Sequence, residues 1–115
     1  MKGGMMYDQR DIVLIPFPYS DLTGVKKRPA LIISNNAINK SEDRICCLIT
    51  SNPSKDGMLI EKKDFQQGKL PFKSWIKANR LFTISKKIII KRLCKMDSKF
   101  NKKILEEINR CISLE

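Results

Sequence analysis

Residues 11–34, DIVLIPFPYSDLTGVKKRPALIIS, set a short polar loop between two strongly apolar runs. Ile12, Val13, Leu14 and Ile15 are β-prone, and Pro16 and Pro18 then remove backbone donors, so this strand must end or lie at a sheet edge there. Residues 30–33 resume as a short continuous apolar strand whose β-branched content favours sheet over helix, and Ser34, Asn35 and Asn36 mark its exit. Lys26, Lys27 and Arg28 stand together where the backbone re-enters the sheet. Such a cationic loop on a rigid platform is a site for a polyanion.

Working outward, the run over residues 44–51 carries Ile45, Cys46, Cys47, Leu48 and Ile49 before reaching Thr50, Ser51, Asn52 and Pro53. Its polar end is a strand terminus, where side chains are held firmly yet meet a cleft. Residues 57–60 form another short strand after a turn over 54–57, and the charged residues 61–68 read as loop or brief helix. Ser74, Trp75 and Ile76 begin a further ordered region. Residues 80–84 and the β-branched trio 88–90 supply the last two strands of a closed or partly closed sheet, with Ser85, Lys86 and Lys87 at the turn. Phe100, Ile104, Ile108 and Ile112 recur every four residues, and Leu105 and Cys111 widen the stripe, as a surface-packed helix requires. Asp97 or Ser98 caps its start. The fold class is mainly β with accessory helices and a C-terminal helix, in which the apolar stripe closes the barrel or, in part, meets another subunit.

The 115 residues suit one domain, spanning the whole chain, with residues 1–7 a flexible N-terminal extension. With 23 basic and 12 acidic residues the net charge is +11, which favours nucleic acid, an acidic protein segment or a membrane surface as partner. The four cysteines, at 46, 47, 94 and 111, show no ligand spacing. Adjacent Cys46 and Cys47 point to opposite faces of a strand and do not share a metal. Buried free thiols, with no signal-like N-terminus or long apolar span, indicate a reducing, cytoplasmic setting.

The chain has no histidine. Imidazole acid–base chemistry, a Ser-His-Asp triad and the usual zinc hydrolase sites are therefore excluded. Neither GxxxxGK[ST] nor GxGxxG occurs, and Asp21 alone is too few carboxylates for a two-metal centre in the first loop. An enzyme of this composition is expected to use no metal and no cofactor. RNA cleavage meets that restriction, because the substrate's 2′-hydroxyl is the nucleophile. Arg28 is suited to clamp the scissile phosphate and stabilise its added charge, although its high pKa makes it a poor free base. Thr50 offers a hydroxyl to a phosphate oxygen, Ser51 and Asn52 add donors, and Asp21 orients Arg28 or accepts a proton. Ser20 and Thr23 supply nearby hydroxyls. The alternative for Arg28 and Thr50 is local structure: satisfying backbone and ion-pair demands beside a proline and at a strand end.

Residues 11–34, the ICCLITSN run (45–52) and RLFTISKKIIIKRLCKM (80–96) before a terminal helix together resemble the MazF/PemK family of type II toxin–antitoxin endoribonucleases, in the family's order from about residue 8 to the end. The resemblance implies a small SH3-like β-barrel with accessory helices, a homodimer, and metal-independent, sequence-selective cleavage of single-stranded RNA to 2′,3′-cyclic phosphate and 5′-hydroxyl ends. It places the catalytic arginine before Pro-Ala or Pro-Val at Arg28 and the catalytic threonine at Thr50. Two departures stand out: Thr50-Ser51-Asn52 replaces Thr-x-Gln, and residues 20–24 replace Gly-Ser-Glu-Gln. The resemblance also implies a cognate antitoxin whose flexible, acidic segment competes with RNA for the positive surface, and an indirect association with operator DNA through it.

Lys26, Lys27, Arg80, Lys86 and Lys87 are the basic side chains expected on RNA, with Lys91, Arg92 and Lys95 in the same tract; solubility is their other role. Trp75 and Phe82 are candidates for base stacking, but an aromatic beside apolar strand residues is more often core; Phe82 reads as core, and both readings stay open for Trp75. Two other functions fit the residues, a noncatalytic nucleic-acid-binding barrel and a subunit that binds an acidic protein.

Overall fold

Strands β1 (Asp11–Pro18) and β2 (Val25–Ile32) pair antiparallel from Ile12↔Leu31 to Pro18↔Val25. They belong to a computed structural model that describes residues 6–18 and 25–115. β1 continues through both prolines, and the sheet accommodates them at an edge. The Leu14 carbonyl accepts from the Ile90 amide at 2.8 Å, so alternation turns the nitrogens of Pro16 and Pro18 toward the same side. There the next strand, β7 (Lys91–Met96), stops pairing at Leu14↔Lys91. No donor is needed beyond that point.

A four-residue helix, α1 (Asn36–Asn39), follows β2 and is capped by Asn35, whose Oδ1 accepts from the Ala37 amide at 3.0 Å. β3 (Asp43–Thr50), β4 (Met58–Leu59), β5 (Phe65–Gly68) and β6 (Trp75–Ser85) complete the described strands. Their order is β4-β6-β3-β2-β1-β7-β5, every neighbouring pair antiparallel, in a curled half-barrel. None of the described helices is long and apolar enough to cross a membrane.

The structure corrects two expectations. Residues 61–68 hold a short 3-10 turn, Lys62–Asp64, and then strand β5, which pairs with β7 alone. As an edge strand it exposes Gln66 and Gln67, so its composition lacks the apolar alternation that marks a half-buried strand. The trio Ile88, Ile89 and Ile90 is not the final strand. Residues Lys86–Ile88 form a 3-10 turn capped by the Ser85 side chain, and only Ile89 of the three is buried. β7 begins at Lys91, where β1 offers its ladder. Tertiary pairing has overridden β-propensity here.

The sheet buries apolar side chains on both faces, and the adjacent cysteines show this directly. Cys47 packs with Ile12, Leu31, Ile49, Ile76 and Met96, beneath helix α2 (Ser98–Ile112). Cys46 packs with Val13, Ile15, Ala30, Ile32 and Ile89 on the other face, where Tyr7, Phe17, Phe82 and Ile84 add partly buried area. α2 starts at Asp97, whose side chain accepts from the Lys99 amide at 2.9 Å, and buries Phe100, Ile104 and Ile108. The fourth member of the expected stripe, Ile112, is 70% exposed, and Leu105 and Cys111 are exposed as well. Asn101 is buried in their place, one turn before Leu105.

Arg44 is fully buried and donates to four backbone carbonyls: Nε to Tyr7 at 2.8 Å, Nη2 to Met6 at 2.8 Å, and Nη1 to Ser41 and Asp43 at 2.9 and 2.7 Å. Of residues 1–7, Met6 and Tyr7 are thus tied to β3, and residues 1–5 lie outside the described ones. Tyr7 has a φ of 66° and Arg10 a φ of 80°, and this clamp holds the first of them. Asp11 is buried too, with Oδ1 at 3.2 Å from Lys95 and 3.5 Å from Arg92, and Oδ2 accepting from the Asp8 amide at 2.8 Å. It fixes the start of β1 against β7.

Two measurements check this packing. Arg44→Met removes every donor that the four carbonyls share, and is expected to lower unfolding stability in urea by about 2–4 kcal/mol. Burial pushes the thiol of Cys46 up to about 12 and of Cys94 to about 11, and raises Cys47 further still. All three are therefore neutral at pH 7 to 8 as well as shielded, and Cys111 is the exposed thiol. A thiol reagent added to the native protein should label one cysteine rapidly, and Cys111→Ser should abolish that phase.

Candidate nucleic-acid interface

β2 and β3 pair over Ala30↔Leu48, Leu31↔Cys47 and Ile32↔Cys46, and the Ile33 amide continues the ladder to the Ile45 carbonyl at 2.9 Å. Residues 31 and 33 therefore direct their backbone groups at β3. Pro29 shares their parity and has no N–H to offer Ile49. The ladder ends at Ala30↔Leu48, and the strands part beyond it.

The register still relates the residues past that end. Extended by two positions it sets Arg28 against Thr50, on the face occupied by Ala30, Ile32 and Cys46. Thr50 is in turn opposite Trp75 of β6. Arg28, Thr50 and Trp75 thus form a row across three neighbouring strands. The Thr50 hydroxyl oxygen accepts from the Asn52 amide at 3.1 Å, which leaves its proton to donate elsewhere. The same bond turns the chain so that Ser51 and Asn52 stand exposed beyond the strand end.

Where β2 and β3 part, a groove of about 610 Å³ opens. Its polar lining is Lys26, Lys27 and Arg28 from β2, Ser51 and Asn52 after β3, Ser74 before β6 and Lys91 at the start of β7. Its apolar lining is Leu14, Pro29, Ile49, Leu93, Leu70, Pro71 and Phe72. Phe72 is 73% exposed. Its backbone is nevertheless anchored, because the buried Ser74 hydroxyl donates to the Phe72 carbonyl at 2.8 Å and the Ile60 amide donates to the Ser74 carbonyl at 2.9 Å.

Five of the residues proposed from sequence to meet RNA or phosphate, Lys26, Lys27, Arg28, Ser51 and Asn52, come together here. Thr50 is not one of the lining residues; it directly precedes Ser51, which is. Asp21, Ser20 and Thr23 lie outside the described residues. Arg80 lines a separate hollow with Phe17, Leu48 and Phe82, and Lys86 and Lys87 sit in the 3-10 turn, where Lys87 meets Glu42 at 3.4 Å. Trp75 is half-buried with the Lys73 ammonium 5.9 Å from its ring centroid. Gly57 passes so close that a Cβ there would stand 2.8 Å from the Trp75 Cβ. Phe82 makes an edge-to-face contact with Phe17, centroids 5.6 Å apart, as a core aromatic does. Among the described residues the aromatic lining the groove is Phe72, which sequence reading did not single out. Its only signal was an apolar residue amid Leu-Pro-Phe-Lys, where no periodicity marks it as core. Among the described residues no three histidine, cysteine, aspartate or glutamate side chains gather in one place, and none is assigned to a metal.

Solved structures of similar fold include an endoribonuclease in complex with its cognate antitoxin from a mycobacterial species, at 18% identity and a TM-score of 0.76 over 94% of this chain and 96% of that one. A second mycobacterial endoribonuclease matches at 21% identity and 0.71, covering 96% and 95%. MazF in a MazE–MazF crystal structure from Deinococcus radiodurans matches at 15% identity and 0.76, covering 94% and 96%. These likenesses share the SH3-like barrel with its C-terminal helix. No curated protein matches the chain. The model of the PemK-like, MazF-like toxins of type II toxin–antitoxin systems matches residues 8–112, nearly the whole chain, and the protein belongs to that family.

Proposed function

We propose that the protein is the toxin of a type II toxin–antitoxin system, an endoribonuclease that cuts single-stranded RNA at selected sequences without a metal ion. The observation that carries this reading is the β2–β3 register, which extended two positions past its end at Ala30↔Leu48 sets Arg28 against Thr50, beside a groove lined by Lys26, Lys27, Arg28 and Lys91. In the reaction the 2′-oxygen of a ribose bonds to the adjacent phosphorus as the bond to the 5′-oxygen breaks. The 2′-hydroxyl loses a proton and the leaving oxygen gains one, giving a 2′,3′-cyclic phosphate and a 5′-hydroxyl. Arg28 stabilises the extra negative charge on the phosphoryl oxygens through its paired donors. The Thr50 hydroxyl, its oxygen already engaged by Asn52, donates to one of those oxygens. Asp21 is assigned to orient Arg28 or to take the 2′ proton. Lys26 and Lys27 hold flanking phosphates and supply a salt-sensitive share of affinity.

The same surface suits the acidic, flexible segment of an antitoxin, which would block the groove by occupying it. The endoribonuclease from a mycobacterial species was solved with its cognate antitoxin, in keeping with such a partner here. A homodimer, association with operator DNA through the antitoxin and a cytoplasmic setting complete the proposal.

Incubation of the purified protein with mixed-sequence single-stranded RNA in EDTA tests it. Site-selective cuts with cyclic phosphate ends are expected, with Arg28→Ala and Thr50→Ala each lowering the rate at least about 100-fold. Binding without cutting across diverse RNAs would sink the enzyme reading. Because the chain has no histidine, the pH–rate profile should show no imidazole-like step between about pH 6 and 7. A sharp loss of rate in that window, with substrate and fold intact, would contradict the electrostatic account.

A further inference from the structure

We propose that Phe72 is the base-stacking shelf of this groove, on which one unpaired base of the RNA lies while neighbouring phosphates meet the lysines that line it. This rests on the reading of the groove as an RNA site and adds the residue that grips a base. Phe72 is 73% exposed, and unlike the other strongly exposed apolar residues, Met6, Ile112 and Leu114, it lines a groove that lysines also line. Its backbone is fastened by the hydrogen bond from buried Ser74, so the ring is presented rather than left on a loose end. Pro71 before it restricts the chain further. Lys27, Lys91, Ser51 and Asn52 line the same groove.

Basic side chains and an exposed aromatic lining one groove offer what single-stranded nucleic acid requires, charge for the backbone and a flat apolar face for the base. The basic side chains select an anionic occupant. The flat ring, rather than a deep pocket, selects a planar group over an aliphatic side chain. Among the described residues, Trp75 is half-buried under Lys73, and Phe82 packs on Phe17.

The test uses a single-stranded oligoribonucleotide carrying 2-aminopurine at successive positions and 2′-O-methyl groups to block cleavage, titrated with the full-length protein. The shelf predicts quenching of the fluorophore at one position, lost in Phe72→Ala together with about a tenfold drop in affinity. Phe72→Trp should retain both and Phe72→Leu neither. Phe72→Ala should leave the slope of affinity against salt unchanged, whereas Lys91→Ala should reduce it by about one. Unchanged quenching and affinity in Phe72→Ala would overturn the proposal, as would full rescue by Phe72→Leu. It would also be overturned if Phe72→Ala lost binding of an acidic peptide but not of RNA. Position-specific quenching that depends on Phe72, in a wild-type protein that never cuts cleavable RNA, would uphold the shelf while refuting the nuclease.

Discussion

A proline cannot donate a backbone hydrogen bond, and Pro29 withholds one at the rung where β2 would next meet β3. Everything at the candidate site follows from that missing donor. Had the ladder run on, Arg28 would be one more residue in the middle of a sheet and no groove would separate it from Ile49. The opposite edge of the hairpin is treated in the same way, since Pro16 and Pro18 turn their ring nitrogens to the side that β7 has already left. Three prolines in fourteen residues thus end two ladders without stranding a buried amide.

The rest of the chain supplies a frame stiff enough for that opening to have a definite shape. Apolar clusters cover both faces of the sheet, so β3 is gripped above and below through Cys47 and Cys46. The helix closes one face with Phe100, Ile104 and Ile108. On the second face Tyr7, Phe17, Phe82 and Ile84 pack against the cluster that includes the turn residue Ile89. Arg44 reaches from β3 to the carbonyls of Met6 and Tyr7 and so secures the N-terminal part of that covering. A guanidinium does this where a lysine would not, because its donors leave in fixed, divergent directions.

Much of this was legible in the residues. The apolar runs of β1, β2 and β3, the helix with its Asp97 cap, and the opposed burial of Cys46 and Cys47 all follow from periodicity and turn chemistry. The Arg28–Thr50 alignment was reached through a family resemblance, and the β2–β3 register gives it a geometric basis. β5 escaped detection because an edge strand needs no apolar alternation. The trio at 88–90 misled because three β-branched residues mark strand propensity equally well whether or not a partner strand is available. Arg44, Asp11 and Phe72 were invisible for a common reason. Their significance lies in what stands opposite them from distant segments, 37 residues away in the bond from Arg44 to Tyr7.

The hairpin that carries Arg28 has a mechanical side. Beyond Leu14 and Pro29, strands β1 and β2 continue as a two-stranded ribbon whose described segments pair with each other and with no third strand. Such a ribbon is a beam with two supports. Its root is clamped by the ladders, and farther out Phe17, the partner of Lys26, rests edge-to-face on Phe82 of β6. Arg28 pairs with buried Ile15 between the two supports. A load on the guanidinium is therefore shared between root and prop, and the backbone that carries it is braced from both ends.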